Sequence, residues 1–148
     1  PAADSGSSRI VAVKIVVDEV AGVVHKLQTG ESTVSIEVAF TTDPGLPAPH
    51  VGACLIDQGG RIVASVCTYF DQLSLSVDRS GRGGATVTFP RFSLLRGEYS
   101  IDVYLLCERG IHVYDTAGRV ATLHVSQTMR ELGVVTLPHT WNLPSPDC

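Results

Sequence analysis

Ser32-Thr33-Val34-Ser35-Ile36-Glu37-Val38-Ala39-Phe40-Thr41 places Val34, Ile36, Val38 and Phe40 on one face of an extended chain and Ser35, Glu37, Ala39 and Thr41 on the other. A side-chain period of two marks a strand with one buried side, and a helical register would scatter these residues. A second stretch repeats the device, with Tyr99, Ile101, Val103, Leu105 and Cys107 alternating with Ser100, Asp102, Tyr104 and Leu106. Similar patterns cover 10–17, 23–28, 50–56, 61–69, 73–77, 85–89, 119–125 and 134–137, separated by turn chemistry such as Asp43-Pro44-Gly45 and Asp57-Gln58-Gly59-Gly60. Short strands without helical segments between them predict an all-β chain, an antiparallel β-sandwich and not βαβ units. One helical turn is expected over 127–132, and Gly81–Gly84 is expected in a loop.

The 148 residues, 44% hydrophobic and 18% charged, are enough for one domain with its own core and too few for a second catalytic lobe. Residues 1–8, small and polar, read as a linker; 9–148 read as the domain, with 142–148 as a short tail. A start at Pro1 instead of Met suggests a processed or excised piece. Eleven Lys+Arg against fifteen Asp+Glu give a net charge of -4, and the arginines are scattered, so no nucleic acid partner is expected. No apolar run approaches the roughly 18 residues of a membrane span. Cys54, Cys67, Cys107 and Cys148 stand at unpatterned spacings and are expected to be reduced.

Several chemistries lack their residues. A phosphate loop needs a lysine after its last glycine, and neither Lys14 nor Lys26 stands there. Cys107 and His112 have the spacing of a copper site, but the position five residues on is Ala117, and the upstream His25 and His50 lie in plain contexts. Glu37 and Asp102 could pair as glycosidase carboxylates only if their strands bring them about 5–9.5 Å apart. No cofactor or metal is expected.

On the polar face of the 99–107 strand, Asp102 and Tyr104 stand two residues apart, flanked by Ser100. A ring beside a carboxylate and hydroxyls suits a sugar: the ring packs the CH face and the polar groups bind the OH groups. Glu37 and Thr41 would extend this surface if their strand is a neighbour. The same residues equally suit an ordinary solvated sheet face.

An ordered succession of motifs weighs between these readings. Leu27-Gln28-Thr29-Gly30-Glu31, Pro49-His50-Val51-Gly52 and Asp57-Gln58-Gly59-Gly60-Arg61 are followed by Ser65-Val66-Cys67-Thr68. Leu94-Leu95-Arg96-Gly97-Glu98-Tyr99, Val113-Tyr114-Asp115 and Gly133-Val134-Val135-Thr136-Leu137-Pro138-His139-Thr140-Trp141 complete the series. Over residues 9–141 this resembles the C-terminal domain of the ATP-binding subunit of O-antigen polysaccharide ABC exporters, the Wzt type. The resemblance implies an immunoglobulin-like sandwich that binds the modified non-reducing end of a lipid-linked O-antigen polysaccharide and so licenses export. It also implies a homodimer exchanging the Gly133–Trp141 strand, an N-terminal ATPase domain in the parent protein and a membrane transporter subunit as partner. The location implied is the cytoplasmic side of the inner membrane.

The carbohydrate-binding residues expected are Asp102, Tyr104, Ser100, Glu37, Thr68 and Tyr69, with Arg91 or Arg109 available for an acidic cap. Thr68 is carried over from the family pattern, where an Asn-Thr pair often ends a strand; Cys67 departs from it. A structural dimerisation sandwich without its own ligand is the alternative, and a small glycosidase ranks third. Trp141 is expected to anchor the last strand, and Tyr114-Asp115 to pin a turn.

Overall fold

The computed structural model describes residues 8–144, which contain nine strands and no helix. These are β1 (Arg9–Val17), β2 (Val20–Ala21), β3 (Val24–Gln28), β4 (Val34–Thr41), β5 (His50–Asp57), β6 (Ile62–Cys67), β7 (Arg82–Phe89), β8 (Gly97–Leu106) and β9 (Val113–Ser126). They form a four-stranded sheet, order β2-β1-β4-β7, facing a five-stranded sheet, order β3-β9-β8-β5-β6. Neighbours run antiparallel except β3, which lies parallel to β9. Between β2 and β3 the chain changes sheets, and β3 joins the edge of the five-stranded one.

The two alternating stretches supply the centre of the sandwich. Val34, Ile36, Val38 and Phe40 of β4 face Tyr99, Ile101, Val103 and Leu105 of β8, all buried. Each such side chain contributes about 1.5–3 kcal/mol of burial. Tyr99 keeps its polar end satisfied by donating to the Leu95 carbonyl at 2.7 Å.

Elsewhere the structure corrects the pattern reading. Arg82, Gly83 and Gly84 belong to β7 and not to a loop. A Cβ on Gly83 would lie 2.6 Å from the Phe40 ring and one on Gly84 2.8 Å from the Val38 carbonyl, so glycine here permits close strand approach. The 73–77 pattern yields only a bridge from Val77 to Gly83. The 134–137 pattern likewise reduces to a bridge between Val135 and Leu94. The 127–132 helical turn is absent: the Gln127 amide binds the Met129 and Glu131 carbonyls, and its oxygen accepts from Arg96 N. Tyr114 and Asp115 lie inside β9, where Asp115 accepts from the Ile10 amide at 2.8 Å and ties the last strand to the first. Trp141 is not a packed anchor: it is 79% exposed, and among the described residues its one ring contact is His139, edge-on at 6.3 Å.

Ser8, read as the end of a linker, is buried and hydrogen-bonded to Thr42 at 2.7 Å. The rest of the linker, 1–7, and the tail from 145 on, with Cys148, lie outside the described residues.

Candidate functional site

Ser100, Asp102 and Tyr104 project together from the outer face of the five-stranded sheet. Register fixes their neighbours: on β5, Ile56, Cys54 and Gly52 stand beside them in turn. On β9, Thr122 stands beside Ser100 and Thr116 beside Tyr104. Opposite Asp102 the β8–β9 ladder shifts register, and Arg119 takes a left-handed backbone (φ 49°). Asp102 holds this bulge, with Oδ1 accepting from Arg119 N at 2.8 Å and Oδ2 from the Tyr104 hydroxyl at 3.4 Å.

The bulge on one side and the β5–β6 turn on the other enclose a polar concavity of about 560 Å³. Ser100, Asp102, Arg119, Thr122 and Glu98 line it, with the turn 57–60 as a wall. That wall is built by Asp57, whose Oδ1 accepts from Gly59 N and Arg61 N while Oδ2 meets Arg61 Nε at 3.2 Å. The Arg61 amide, with the guanidinium and Gly59 N, holds the Asp57 carboxyl below the usual range. Burial, reinforced by the Asp102 charge, pushes both the Tyr104 phenol and the Cys54 thiol up, so both stay protonated.

A second cavity, about 100 Å³, lies between the sheets where β6 and β7 face each other. Most of its lining is apolar, with Ile36, Val38, Val51, Val66 and Val87 among it, and Thr68, Asp71 and Thr86 are its polar members, so it suits a hydroxylated ligand poorly. The polar concavity fits the chemistry of β8 and the apolar one does not.

Three of the six expected residues, Ser100, Asp102 and Tyr104, stand together. Glu37 lies on the outer face of the other sheet, beside Lys14 and Thr86, because its strand is in the opposite layer. A core about 10 Å thick separates it from Asp102, so the glycosidase pair is not assembled. Thr68 spends its hydroxyl on the fold, accepting from Val51 N at 3.0 Å and pairing with His50 Nδ1 at 2.9 Å. Tyr69 meets His50 edge-on at 5.2 Å, and its ring packs on Gly110, where a Cβ would come within 2.8 Å. Both belong to the turn after β6 and do not line the polar concavity; Thr68 borders the smaller cavity between the sheets instead. Neither Arg91 nor Arg109 borders it either; the arginine that does, Arg119, was missed. Gly118, directly before the 119–125 pattern, was its one sequence signal.

The Cys107–His112 spacing serves a turn: Cys107 Sγ accepts from His112 N at 3.3 Å. Burial pushes this thiol up, but backbone amides at His112, Ile111 and Arg109 outweigh it and hold the pKa low. Among the described residues no group of three His, Cys, Asp or Glu side chains could hold a metal ion, and Cys54, Cys67 and Cys107 are unbridged.

Residues 2–137 match the protein family described as the Wzt C-terminal domain. The chain belongs to this family. The crystal structure of the C-terminal domain of Wzt superposes with a TM-score of 0.75 at 13% identity, covering 93% of this chain and 84% of that one. A putative β-galactosidase from Bacteroides fragilis reaches 0.51 at 15% identity, with 75% of this chain and 17% of that one covered. At that identity the likeness shows only a shared sandwich. No curated protein matches the sequence. Wzt C-terminal domains are non-catalytic parts of proteins whose ATPase domain serves O-antigen export by an ABC transporter. Among the described residues of this Wzt domain, no helix is long and apolar enough to cross a membrane.

Proposed function

We propose that the chain is the carbohydrate-recognition module of its exporter, holding the modified non-reducing terminus of a lipid-linked O-antigen on the outer face of the five-stranded sheet. The observation that carries this reading is the meeting of Ser100 and Asp102 in one polar concavity, with Tyr104 next along the strand and its hydroxyl on Asp102. The Tyr104 ring packs the sugar's CH face, Asp102 accepts from its hydroxyls, and Ser100 adds a donor. Binding there couples chain completion to export by the parent ATPase, at the cytoplasmic side of the inner membrane. Calorimetry with capped and uncapped polymer tests it. Preference for the capped form, abolished by Asp102→Ala with Tyr104→Ala, supports the reading; equal binding of both forms sinks it.

A homodimer accompanies this role. Leu132, Leu137, Trp141 and Leu143 are between 69% and 88% exposed, yet the segment touches the fold at Val135, with Leu95 N on Val134 O and Thr136 N on Ser93 O. Exchanging the 133–141 segment between protomers would reproduce that contact and cover the apolar residues. If this surface were the whole function, the two alanine substitutions would leave export unaffected in the complete transporter. Removing residues 133–148 should convert the dimer to a monomer by light scattering; an unchanged mass would refute the exchange.

A further inference from the structure

Three carboxyl side chains border the concavity, and each already has a polar neighbour. Asp57 has Arg61 and two backbone amides, Asp102 has Arg119 N and the Tyr104 hydroxyl, and Glu98 lies 3.4 Å from His124 Nδ1. The donors on the other side are open. Among the described residues no carboxylate lies within salt-bridge distance of the Arg119 guanidinium. The hydroxyls of Ser100 and Thr122, paired across β8 and β9, bind no other described residue.

The backbone of Arg119 is fixed although its side chain is exposed. A non-glycine residue at φ 49° persists when its surroundings hold it, and here Asp102 does so through the Arg119 amide. Asp102 thereby engages the backbone of Arg119 and leaves its side chain available at the rim of the concavity.

Resting on the carbohydrate reading above, we infer that the concavity takes a sugar bearing an oxyanion, a carboxylate or a phosphate, with Arg119 as the residue that selects it. The planar guanidinium offers paired N–H donors matched to such a group, and Ser100 and Thr122 supply neutral donors beside it. The anion replaces water on donors that have no protein partner, so binding it strands no buried group.

The test is calorimetry of the 148-residue chain with glucose, galactose and mannose trisaccharides, each as the neutral form and with a non-reducing uronic acid or 6-phosphate. At least one anionic form should bind about tenfold or more tighter than its neutral parent. The uronate and phosphate arms tell which oxyanion is preferred. Arg119→Gln should bring the ratio of anionic to neutral affinity down to about one, and Arg119→Lys should keep part of the preference. Arg119→Gly, which adopts the left-handed backbone freely, should match Arg119→Gln and so separates the guanidinium from the bulge. Equal binding of neutral and anionic forms, or a preference that survives Arg119→Gln, overturns the inference while the carbohydrate reading stands. If no trisaccharide binds, or binding ignores Asp102→Ala, the carbohydrate reading falls and this inference with it.

Discussion

The two outer faces of the sandwich look alike in sequence and differ in the folded chain. On the four-stranded sheet, Lys14, Glu37 and Thr86 stand in one cross-strand row. On the five-stranded sheet, Thr122, Ser100 and Ile56 form such a row, but the next one meets the β9 bulge, and the Asp57 turn rises beside it. The residue types are similar: acids, hydroxyls, small side chains. Both faces have a hollow, about 530 Å³ beside Lys14, Glu37 and Thr86 and about 560 Å³ beside Ser100 and Asp102. What separates them is the lining, since the first is floored by Ala12, Ala39, Gly84 and Ala85 of the strands and the second is walled by a polar bulge and a clamped turn. A hollow floored by small apolar residues offers few partners to a hydroxylated ligand, whereas a polar walled one holds its groups convergent and pre-placed, which lowers the cost of ordering them around a ligand.

The largest expected effect breaks that polar wall at its centre. Asp102→Ala removes the acceptor for Arg119 N and the Tyr104 hydroxyl; glycan binding should fall below detection and stability by about 1–3 kcal/mol in urea denaturation. Glu37→Ala on the four-stranded face should stay within about 0.5 kcal/mol and bind normally. Matching losses from the two would erase the distinction between the faces.

Thr68→Val comes next. It strips the hydroxyl from Val51 N and His50, and should cost about 1–2 kcal/mol with glycan affinity unchanged, separating a residue that holds the fold from one that holds ligand. Lost affinity at intact stability would instead make Thr68 a ligand residue. Tyr104→Phe keeps the ring and drops one hydrogen bond to Asp102, so about 0.5–1.5 kcal/mol of stability should go, with affinity reduced only several-fold.

The smallest effect is in the wall. Asp57 has a lower pKa folded than unfolded, so it contributes stability that is fully present above the unfolded carboxylate value and is lost as pH falls through the folded one. The melting-temperature difference between the native chain and Asp57→Asn should therefore be constant at neutral pH and shrink below about pH 4. A difference that persists unchanged into strong acid would contradict this.

How much of this was legible follows from where the information resides. β4 and β8 were readable because their alternation is local, and Ser100, Asp102 and Tyr104 came with β8. The β1–β2 hairpin was not, because its turn residues Asp18 and Glu19 both take positive φ without the Asn-Gly or Gly signature. Contacts from Thr33 hold that turn: its amide donates to Asp18 Oδ1 and its carbonyl accepts from Asp18 N. The start of β7 was hidden by glycines that serve close approach to Phe40 and Val38. Glu37 was grouped with Asp102 because both carry the right period, while the layer a strand joins is decided by distant pairing. Arg119 was missed for the same reason: a bulge exists only relative to its partner strand.

The central claim is that the five-stranded sheet's outer face is the recognition face. Backbone amide shift mapping of the isotope-labelled chain, titrated with the capped glycan fragment, tests it most directly. The account predicts shifts concentrated at Ser100, Asp102, Tyr104, Arg119 and Thr122, with Lys14, Glu37 and Thr86 unmoved. Shifts gathered on the four-stranded face, with β8 and β9 silent, would contradict it.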